Sequence, residues 1–278
     1  MDDHILAIYC VCHDFLKALQ HREDRQQKMT DAEVMTTALV AMRFFGGNFE
    51  QARALLGTTH YIPMMLSRSR LNRRLYQLQH LFATLFDFLG QTWKELNGES
   101  VYIIDSFPVA VCDNYRIPHA HIYHQEAYRG YIASKKRYFY GLKIHLLVTP
   151  QGYPVECFLT PGSSSDVRAL RSFQFDVPEG SVIYADKAYN DYGMEDLMYE
   201  SAQLALSPIR KEHSRRALPP YLAFVQHDYR KRIETAASLI ERRLPNTMHA
   251  VTARGFELKV CLFVLAYSLD CLYRSQLR

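Results

Sequence analysis

The spacing of apolar residues changes near residue 98. Before that point, apolar positions recur every three or four residues, which predicts helices and no strands. The predicted helices cover 5–19, a segment from the capping box Thr30-Asp31-Ala32-Glu33 to Gly46-Gly47, 49–56, and a segment that begins near Ser67. We therefore expect residues 1–98 to form an all-helical domain.

After Asn97-Gly98 the pattern changes to short apolar runs, many of them alternating with polar residues. These runs predict strands over 101–105, 138–149, 153–160, 181–185 and 203–207, with helices near 165 and after 190. Three antiparallel strands followed by parallel units are typical of a ribonuclease-H-like sheet. The sequence thus predicts an α/β catalytic domain over 99–278, a mixed five-stranded sheet with flanking helices, in which the first and fourth strands are neighbours.

Two of the predicted strands end in aspartate. Val101-Tyr102-Ile103-Ile104 leads to Asp105, and Val182-Ile183-Tyr184-Ala185 leads to Asp186. Aspartate also favours turns, so either residue alone would be weak evidence of a site. Because the two strands are expected to be neighbours, we expect their carboxylates to lie together at the sheet edge.

A third carboxylate would have to come from a later helix that packs across the sheet. Glu234 is the first candidate, and Arg230 shares its helix face four residues earlier. Glu241 and Glu257 are alternatives. Three carboxylates form an oxygen-ligand set suited to Mg²⁺, of the kind used in two-metal chemistry on phosphodiesters.

Composition limits the class of protein without deciding it. The chain has 278 residues, 48% of them apolar, which is enough for a folded core, and its formal charge of +4 permits nucleic-acid binding without requiring it. Its six cysteines form no CxxC pair, and its N-terminus lacks the basic segment of a signal peptide. The longest apolar stretch, 260–269, is too short to span a bilayer. We expect a cytoplasmic protein with reduced thiols and no membrane partner.

Basic residues cluster in two places. In the helix after Ser67, leucines at 71, 75 and 78 mark the buried side. Arg70, Arg73 and Arg74 lie on the other side of this helix. This basic surface fits either contact with DNA or simple solvation. The long segment 114–138 interleaves tyrosines with basic residues, a composition that suits stacking on bases and binding of phosphates. Lys143, projecting beside the first strand, and Lys187, next to Asp186, are further candidates for phosphate contacts.

Several motifs together resemble a DDE transposase of a bacterial insertion sequence, closest to the insertion sequence 982 family. The motifs are Asp105-Ser106-Phe107-Pro108, Tyr140-Gly141-Leu142-Lys143-Ile144-His145, Ala185-Asp186-Lys187-Ala188-Tyr189 and Gly255-Phe256-Glu257-Leu258-Lys259. In the N-terminal part, Phe44-Phe45-Gly46-Gly47-Asn48 and Arg70-Leu71-Asn72-Arg73-Arg74 resemble the same group. The similarity therefore covers nearly the whole chain.

This resemblance implies a catalytic triad of Asp105, Asp186 and Glu234 that binds two Mg²⁺ ions, with Mn²⁺ as a substitute. The implied activity is cleavage at insertion-sequence ends followed by strand transfer into target DNA. The implied partner is double-stranded DNA, bound by a homodimer. The candidate DNA-binding residues are Arg70, Arg73, Arg74, Arg129, Lys135, Lys136, Arg137, Lys143, Lys187, Arg230, Arg232 and Arg242.

The last helix departs from the pattern of the wider superfamily, which carries Tyr, Arg, Glu and Lys at fixed spacing. His227 stands at the Tyr position and Glu241 at the Lys position. Two other functions also stay open: a metal-dependent nuclease or resolvase without strand transfer, and a domesticated DNA-binding protein without catalysis.

The single tryptophan, Trp93, precedes the first catalytic strand. We expect it to serve folding rather than to stack on a flipped base. If cleavage of the second strand forms a DNA hairpin, we expect Tyr123, Tyr128 and Tyr131 to be the residues that stack on the flipped base.

Overall fold

The computed structural model describes residues 1–132, 136–210, 214–242, 244, 248 and 250–276, without the side chains at 113–116, 230, 232–237, 239 and 276. The helices are α1 (Asp2–Ala18), α2 (Asp31–Phe44), α3 (Phe49–Thr58), α4 (Arg68–Gln77), α5 (Gln79–Glu95), α6 (Asp166–Leu170), α7 (Tyr192–Ala202), α8 (Pro220–Glu241) and α9 (Ala253–Gln276). The strands are β1 (Val101–Asp113), β2 (Arg129–Ile132), β3 (Arg137–Val148), β4 (Pro154–Pro161), β5 (Val182–Ala185) and β6 (Ala205–Pro208). None of the described helices is long and apolar enough to cross a membrane.

The chain forms two compact units. The first contains Met1–Leu89, Arg242–Ala250 and Arg254–Arg278, and the second contains Gly90–Glu241 and Val251–Ala253. These units divide the chain between Leu89 and Gly90 and assign most of α9 to the first unit. The division into functional domains at residue 98 stays a prediction.

The first unit is helical, as expected. Residues 1–97, all of them described, contain no strand. The predicted capping box is present, because Glu33 N–H donates to Thr30 Oγ1 and Thr30 N–H donates to Glu33 Oε2. Helix α2 is buried along most of its length, and Arg43 near its end forms an ion pair with Asp270 of α9, with Nε and Oδ1 2.7 Å apart.

The second unit is built on a mixed sheet. The strand order is β2-β3-β1-β5-β6, and β4 also pairs with β3. Strand β1 is antiparallel to β3 and parallel to β5. The first and fourth of the predicted strands, which are β1 and β5, are therefore neighbours, as predicted. The hairpin of β3 and β4 is also as predicted.

Two details of the predicted sheet are wrong. The described residues form six strands rather than five, because β2 was missed: its four residues include a glycine and an arginine and carry no apolar alternation. In addition, β1 does not end at Asp105. It continues to Asp113, because Phe107 and Val109 keep the buried alternation and the long β3 pairs with it throughout.

Glycine allows close packing where α5 enters the second unit. A Cβ on Gly90 would lie 2.5 Å from the carbonyl oxygen of Val155 in β4, so no larger residue fits without movement. The approach brings the ring of Trp93 onto that of Tyr153, with centroids 4.3 Å apart. The end of α5 is also held at Lys94, whose Nζ lies 3.1 Å from Asp176 Oδ2. These contacts hold the last turns of α5, residues 90–95, within the second unit.

Candidate active site

The structure places Asp105 and Asp186 on neighbouring strands. Ile104 of β1 pairs in register with Ala185 of β5, and each aspartate is the next residue along its chain. Adjacent strands in a sheet lie about 4.8 Å apart, so the two backbones are neighbours at this point. Asp105 stands where the parallel pairing with β5 stops, and Asp186 follows the last residue of β5.

Both aspartates project from the same face of the sheet. Ile103 pairs with Tyr184, and paired residues share a face. Asp105 and Asp186 follow these two residues at a spacing of two, which returns them to that face. Because Tyr184 lies on this face, its contacts show which element covers the aspartates.

Helix α8 covers this face. The ring of Tyr184 stacks on that of Tyr229 in α8, with centroids 4.7 Å apart and planes 17° apart. One turn earlier, Gln226 donates to Ser207 in β6, and the helix also packs against β1. The helix thus crosses the sheet from β6 over β5 towards β1, the strand that bears Asp105.

Glu234 lies in α8, five residues after Tyr229, and its side chain is outside the described part of the chain. Five residues advance a helix by about 7.5 Å, more than the spacing of about 4.8 Å from β5 to β1. Among the alternatives, Glu241 is the exposed last residue of α8, and Glu257 lies in α9, in the first compact unit. Five residues also turn the helix by about 140°, so position 234 does not share the face of Tyr229, and the role of Glu234 as third ligand stays a prediction.

Each aspartate is oriented by the residue that follows it. Ser106 N–H donates to Asp105 Oδ1, and Lys187 N–H donates to Asp186 Oδ1, both over 2.7 Å. Both side chains are partly exposed. Two carboxylates on one face supply the hard oxygen donors that Mg²⁺ prefers, so the residues present fit such an ion as part of its ligand set. Among the described residues, no three His, Cys, Asp or Glu side chains are grouped as a metal site.

A polar network lies behind Asp105, on the opposite face of the sheet. Ser106 Oγ donates to Asp166 Oδ1 over 2.7 Å, and Lys143 Nζ lies 3.5 Å from the same oxygen. Lys143 also donates to the carbonyl of Ser164 over 2.9 Å. Ser106 therefore connects the backbone that orients Asp105 to a carboxylate on α6.

His145 extends this network into the core. It is fully buried, within hydrogen-bond distance of Thr160 Oγ1 (2.9 Å) and of the Tyr189 hydroxyl (3.4 Å), and its ring stacks on that of Phe158. The pKa of His145 is lowered to about 4, mainly by burial; the carboxylate of Asp166 opposes this shift and the ammonium of Lys143 adds to it. At neutral pH the ring is uncharged, so His145 serves as a core residue rather than as a phosphate contact.

Sequence reasoning missed this network. Asp166 does not cap α6: Ser165 is the N-cap and accepts from Arg168 N–H, while Asp166 accepts from Ser106 Oγ and pairs with Lys143. Lys143 lies on the face opposite the two aspartates, since it pairs with Pro108, two residues beyond Ser106. The alternation of β3 puts Lys143 and His145 on one face, but it carries no signal that their partners lie on β4 and α6.

The remaining candidate DNA-binding residues of the second unit are spread around it. Arg129, Lys136 and Arg137 are exposed on or beside β2 and β3, and Lys187 is exposed next to Asp186. Arg242, which belongs to the first unit, is exposed just after α8. Lys135 and the side chains of Arg230 and Arg232 lie outside the described residues.

In the first unit, the predicted basic helix is α4. Leu71, Leu75 and Leu78 are buried, as expected. Arg70 and Arg73 are exposed. Arg74 differs, because its side chain is only 16% exposed and it hydrogen-bonds to Gln27 and Asp31. Arg74 is thus engaged inside the unit and does not lie on the exposed basic surface.

We expect Arg74→Ala to destabilise the protein far more than Arg73→Ala. The Asp31 side chain is 4% exposed, and of its two described side-chain partners it would keep only the hydrogen bond with His21, whose Nε2 lies 2.8 Å away. Breaking a buried ion pair costs about 3 kcal/mol or more, whereas an exposed arginine contributes little. Urea unfolding of both variants measures the difference; equal stabilities would mean that the pair with Asp31 contributes nothing.

The double variant Arg70→Ala, Arg73→Ala tests DNA contact without disturbing this ion pair. If both residues bind phosphates, the slope of log affinity against log salt falls by up to about one unit per lost contact. A slope equal to that of the unaltered protein would make α4 a packing element only.

A mixed sheet that brings two aspartates side by side beneath a crossing helix is the arrangement expected of ribonuclease-H-like enzymes that act on nucleic acids. A family model described as Transposase DDE domain matches residues 96–241, just over half of the chain. The chain therefore belongs to the DDE transposase family. Comparisons with curated proteins and with solved structures give no match. Membership of the insertion sequence 982 family stays a prediction.

Proposed function

We propose that this protein cuts the ends of an insertion sequence and joins the freed 3′ ends to target DNA, in a reaction that depends on Mg²⁺. The observation that carries the proposal is the placement of Asp105 and Asp186 on one face of two neighbouring strands, beneath α8. Membership of the DDE transposase family supports the same activity.

In this proposal Asp105, Asp186 and Glu234 hold two Mg²⁺ ions. Such ions, when bound, activate the attacking oxygen and stabilise the leaving oxygen of a phosphodiester. The chain itself supplies fixed negative charge at one place on the sheet. The N–H groups of Ser106 and Lys187 orient the two aspartates before any ligand arrives. No side chain needs to act as nucleophile, because water and then a DNA 3′-hydroxyl fill that role.

Exposed basic residues around the sheet would hold the DNA. Lys187 is exposed next to Asp186, and its ammonium is suited to a phosphate near the reacting bond. Arg129, Lys136 and Arg137 would contact the DNA backbone at β2 and β3. Arg242, in the first unit, would be a separate phosphate contact. We omit Lys143 from this surface, since it is paired with Asp166 on the opposite face.

A joining assay tests the proposal. The protein, Mg²⁺, a labelled pre-cut insertion-sequence end and a supercoiled plasmid should give labelled plasmid. Label that is cut but never joined would identify a nuclease instead. Binding of the end with neither cutting nor joining would identify a DNA-binding protein without catalysis.

We expect Asp166→Ala to slow cleavage by roughly 10- to 100-fold, the usual cost of removing a residue that supports a metal ligand. The change removes the acceptor of Ser106 Oγ and the charge beside Lys143, so the backbone that orients Asp105 loses its support. The loss should appear in kcat rather than in KM for DNA, with a higher Mn²⁺ concentration needed for half-maximal rate.

Asp176→Ala is the matched control. Asp176 is also a carboxylate paired with a lysine, but it is 67% exposed and pairs with Lys94 at the end of α5. Asp166→Asn should recover part of the rate, because its amide oxygen can still accept from Ser106. A kcat equal to that of Asp176→Ala would exclude the positioning role of Asp166.

A further inference from the structure

Two large aromatic side chains are exposed on the hairpin of β2 and β3. Tyr131 is 52% exposed and Tyr138 is 46% exposed. The two residues pair in register, and their ring centroids lie 4.9 Å apart. Strand β2 is at the edge of the sheet, so this pair is at the margin of the second unit.

The register that pairs these tyrosines is tightly specified. Gly130 pairs with Phe139, and a Cβ at position 130 would lie 2.3 Å from an atom of the Phe139 ring. Only glycine fits opposite this buried ring, and a shift by one residue would turn every side chain of the strand to the other face. The packing of Phe139 on Gly130 thus holds Tyr131 and Tyr138 side by side on the other face of the hairpin.

Positive charge accompanies the aromatic rings. The guanidinium of Arg129 lies over the ring of Tyr138, 4.4 Å from its centroid. Lys136 and Arg137 are exposed in the same hairpin. The only acidic side chain that the structure shows paired with Arg129 is Glu126, 3.4 Å away and 75% exposed, which is a weak surface interaction.

The other tyrosines on and near this hairpin are less exposed than Tyr131 and Tyr138. Tyr123 is buried, and its ring packs against that of Tyr128 with centroids 4.5 Å apart. Tyr140 is buried and donates its hydroxyl to Glu126 over 2.9 Å. Tyr128 is partly exposed, so Tyr131 and Tyr138 are the more exposed tyrosines here.

The hairpin continues the face that carries the aspartates. Tyr138 precedes Leu146, the β3 partner of Asp105, by eight residues, and an even spacing along a strand returns to the same face. The distance along the strand is about 26 Å at about 3.3 Å per residue. One DNA strand covers that length in about eight nucleotides.

We propose that Tyr131, Tyr138 and Arg129 form a stacking site for unpaired DNA bases, which rests on the proposed action on DNA. Aromatic rings stack on bases of any sequence, and the neighbouring basic groups bind the phosphates between them. A duplex offers no free base face, so the site selects an unpaired strand, such as one exposed when a DNA end is opened for cutting.

Fluorescence of 2-aminopurine in a short single-stranded oligonucleotide tests this site, with the full chain in EDTA so that no cleavage occurs. Stacking should quench the fluorophore. Tyr131→Ala should weaken single-strand binding by roughly 5- to 100-fold, as expected for one lost stacked base. Affinity for a duplex of the same length should stay within about twofold. Tyr131→Trp should bind the single strand at least as well as the unaltered protein.

Tyr199→Ala is the matched control, because Tyr199 on α7 is similarly exposed, at 60%, without the same aromatic and basic cluster. Tyr131→Leu keeps apolar bulk in the hairpin but removes the π face, and it should bind as weakly as Tyr131→Ala. If Tyr131→Leu binds the single strand normally, or if Tyr199→Ala loses as much affinity, the proposal is overturned. If the Tyr131–Tyr138 pair only stabilises the hairpin, Tyr131→Ala would lower the melting temperature of the protein and leave the quenching unchanged.

These outcomes are separate from those of the proposed function. Asp105→Asn should abolish cleavage while it leaves the quenching by single-stranded DNA unchanged. If the protein cuts and joins DNA, but Tyr131→Ala quenches 2-aminopurine as strongly as the unaltered protein, only the stacking site is refuted. Quenching without any joining activity would refute the proposed transposition alone.

Discussion

Asp105→Asn and Asp186→Asn should each lower the rate of DNA cleavage by about a hundredfold to ten-thousandfold. Each change removes one negative charge from a proposed metal ligand while it keeps the shape of the side chain. A metal ion contributes several kcal/mol of charge stabilisation to a phosphodiester transition state, and each 1.4 kcal/mol corresponds to a factor of ten. Single-turnover cleavage of a labelled end measures the loss.

Binding of the DNA end should be retained in both variants. The aspartates are not phosphate contacts in the proposal, and the exposed basic residues are unchanged. Asp191→Asn is a suitable control, since Asp191 is a nearby aspartate whose carboxylate caps α7. If Asp105→Asn or Asp186→Asn cuts as fast as Asp191→Asn, the proposed site is wrong.

Glu234→Gln should give the same loss as the aspartate variants. Glu241→Gln is its comparison, because Glu241 lies on the same helix two turns later and is exposed at its end. An active Glu234→Gln enzyme together with an inactive Glu241→Gln enzyme would move the third ligand to position 241. Equal activity of both variants would favour Glu257 or another acidic residue.

Trp93→Ala should destabilise the protein by about 3–5 kcal/mol, the usual cost of truncating a large buried aromatic residue. Trp93 is 1% exposed and packs on Tyr153, so its loss leaves a cavity between α5 and the sheet. Denaturant unfolding measures the change. Trp93→Phe should recover more than half of the lost stability, because it refills most of the volume.

The products of cleavage give the second part of this prediction. A buried ring cannot stack on a flipped base, so at a temperature where Trp93→Ala is folded its products should match those of the unaltered enzyme. Gel analysis of a labelled end makes the comparison. Loss of a hairpin product in the folded variant, with cleavage retained, would show that Trp93 takes part in second-strand processing.

Local sequence signals were sufficient for most helices and for the two aspartates. The capping box at Thr30 and the leucines of α4 are short-range patterns, and the structure confirms both. The apolar runs before Asp105 and Asp186 predicted two buried strands, and their order in the chain predicted that the strands are neighbours. Such signals suffice because period and turn chemistry act over a few residues.

The extent of the sheet was less predictable. Strand β2 carries no apolar alternation and exists because β3 extends beyond the pairing with β4 and offers it a partner. The continuation of β1 past Asp105 has the same cause, since its residues pair with β3 over their whole length. Where a strand ends depends on the length of the partner strand, which the local sequence does not encode.

The sequence by itself determined which residue types end the strands and which helix faces are apolar. Only the tertiary structure decided which polar residues are exposed on the surface and which are paired with other side chains inside a unit. Arg73 and Arg74 are adjacent in the chain, yet only Arg74 meets Asp31, 43 residues away. Likewise, Lys143 and Ser106 meet Asp166 on a different element. The reason is that a charge becomes buried only when another segment of the chain packs over it and supplies its partner, which local spacing does not encode.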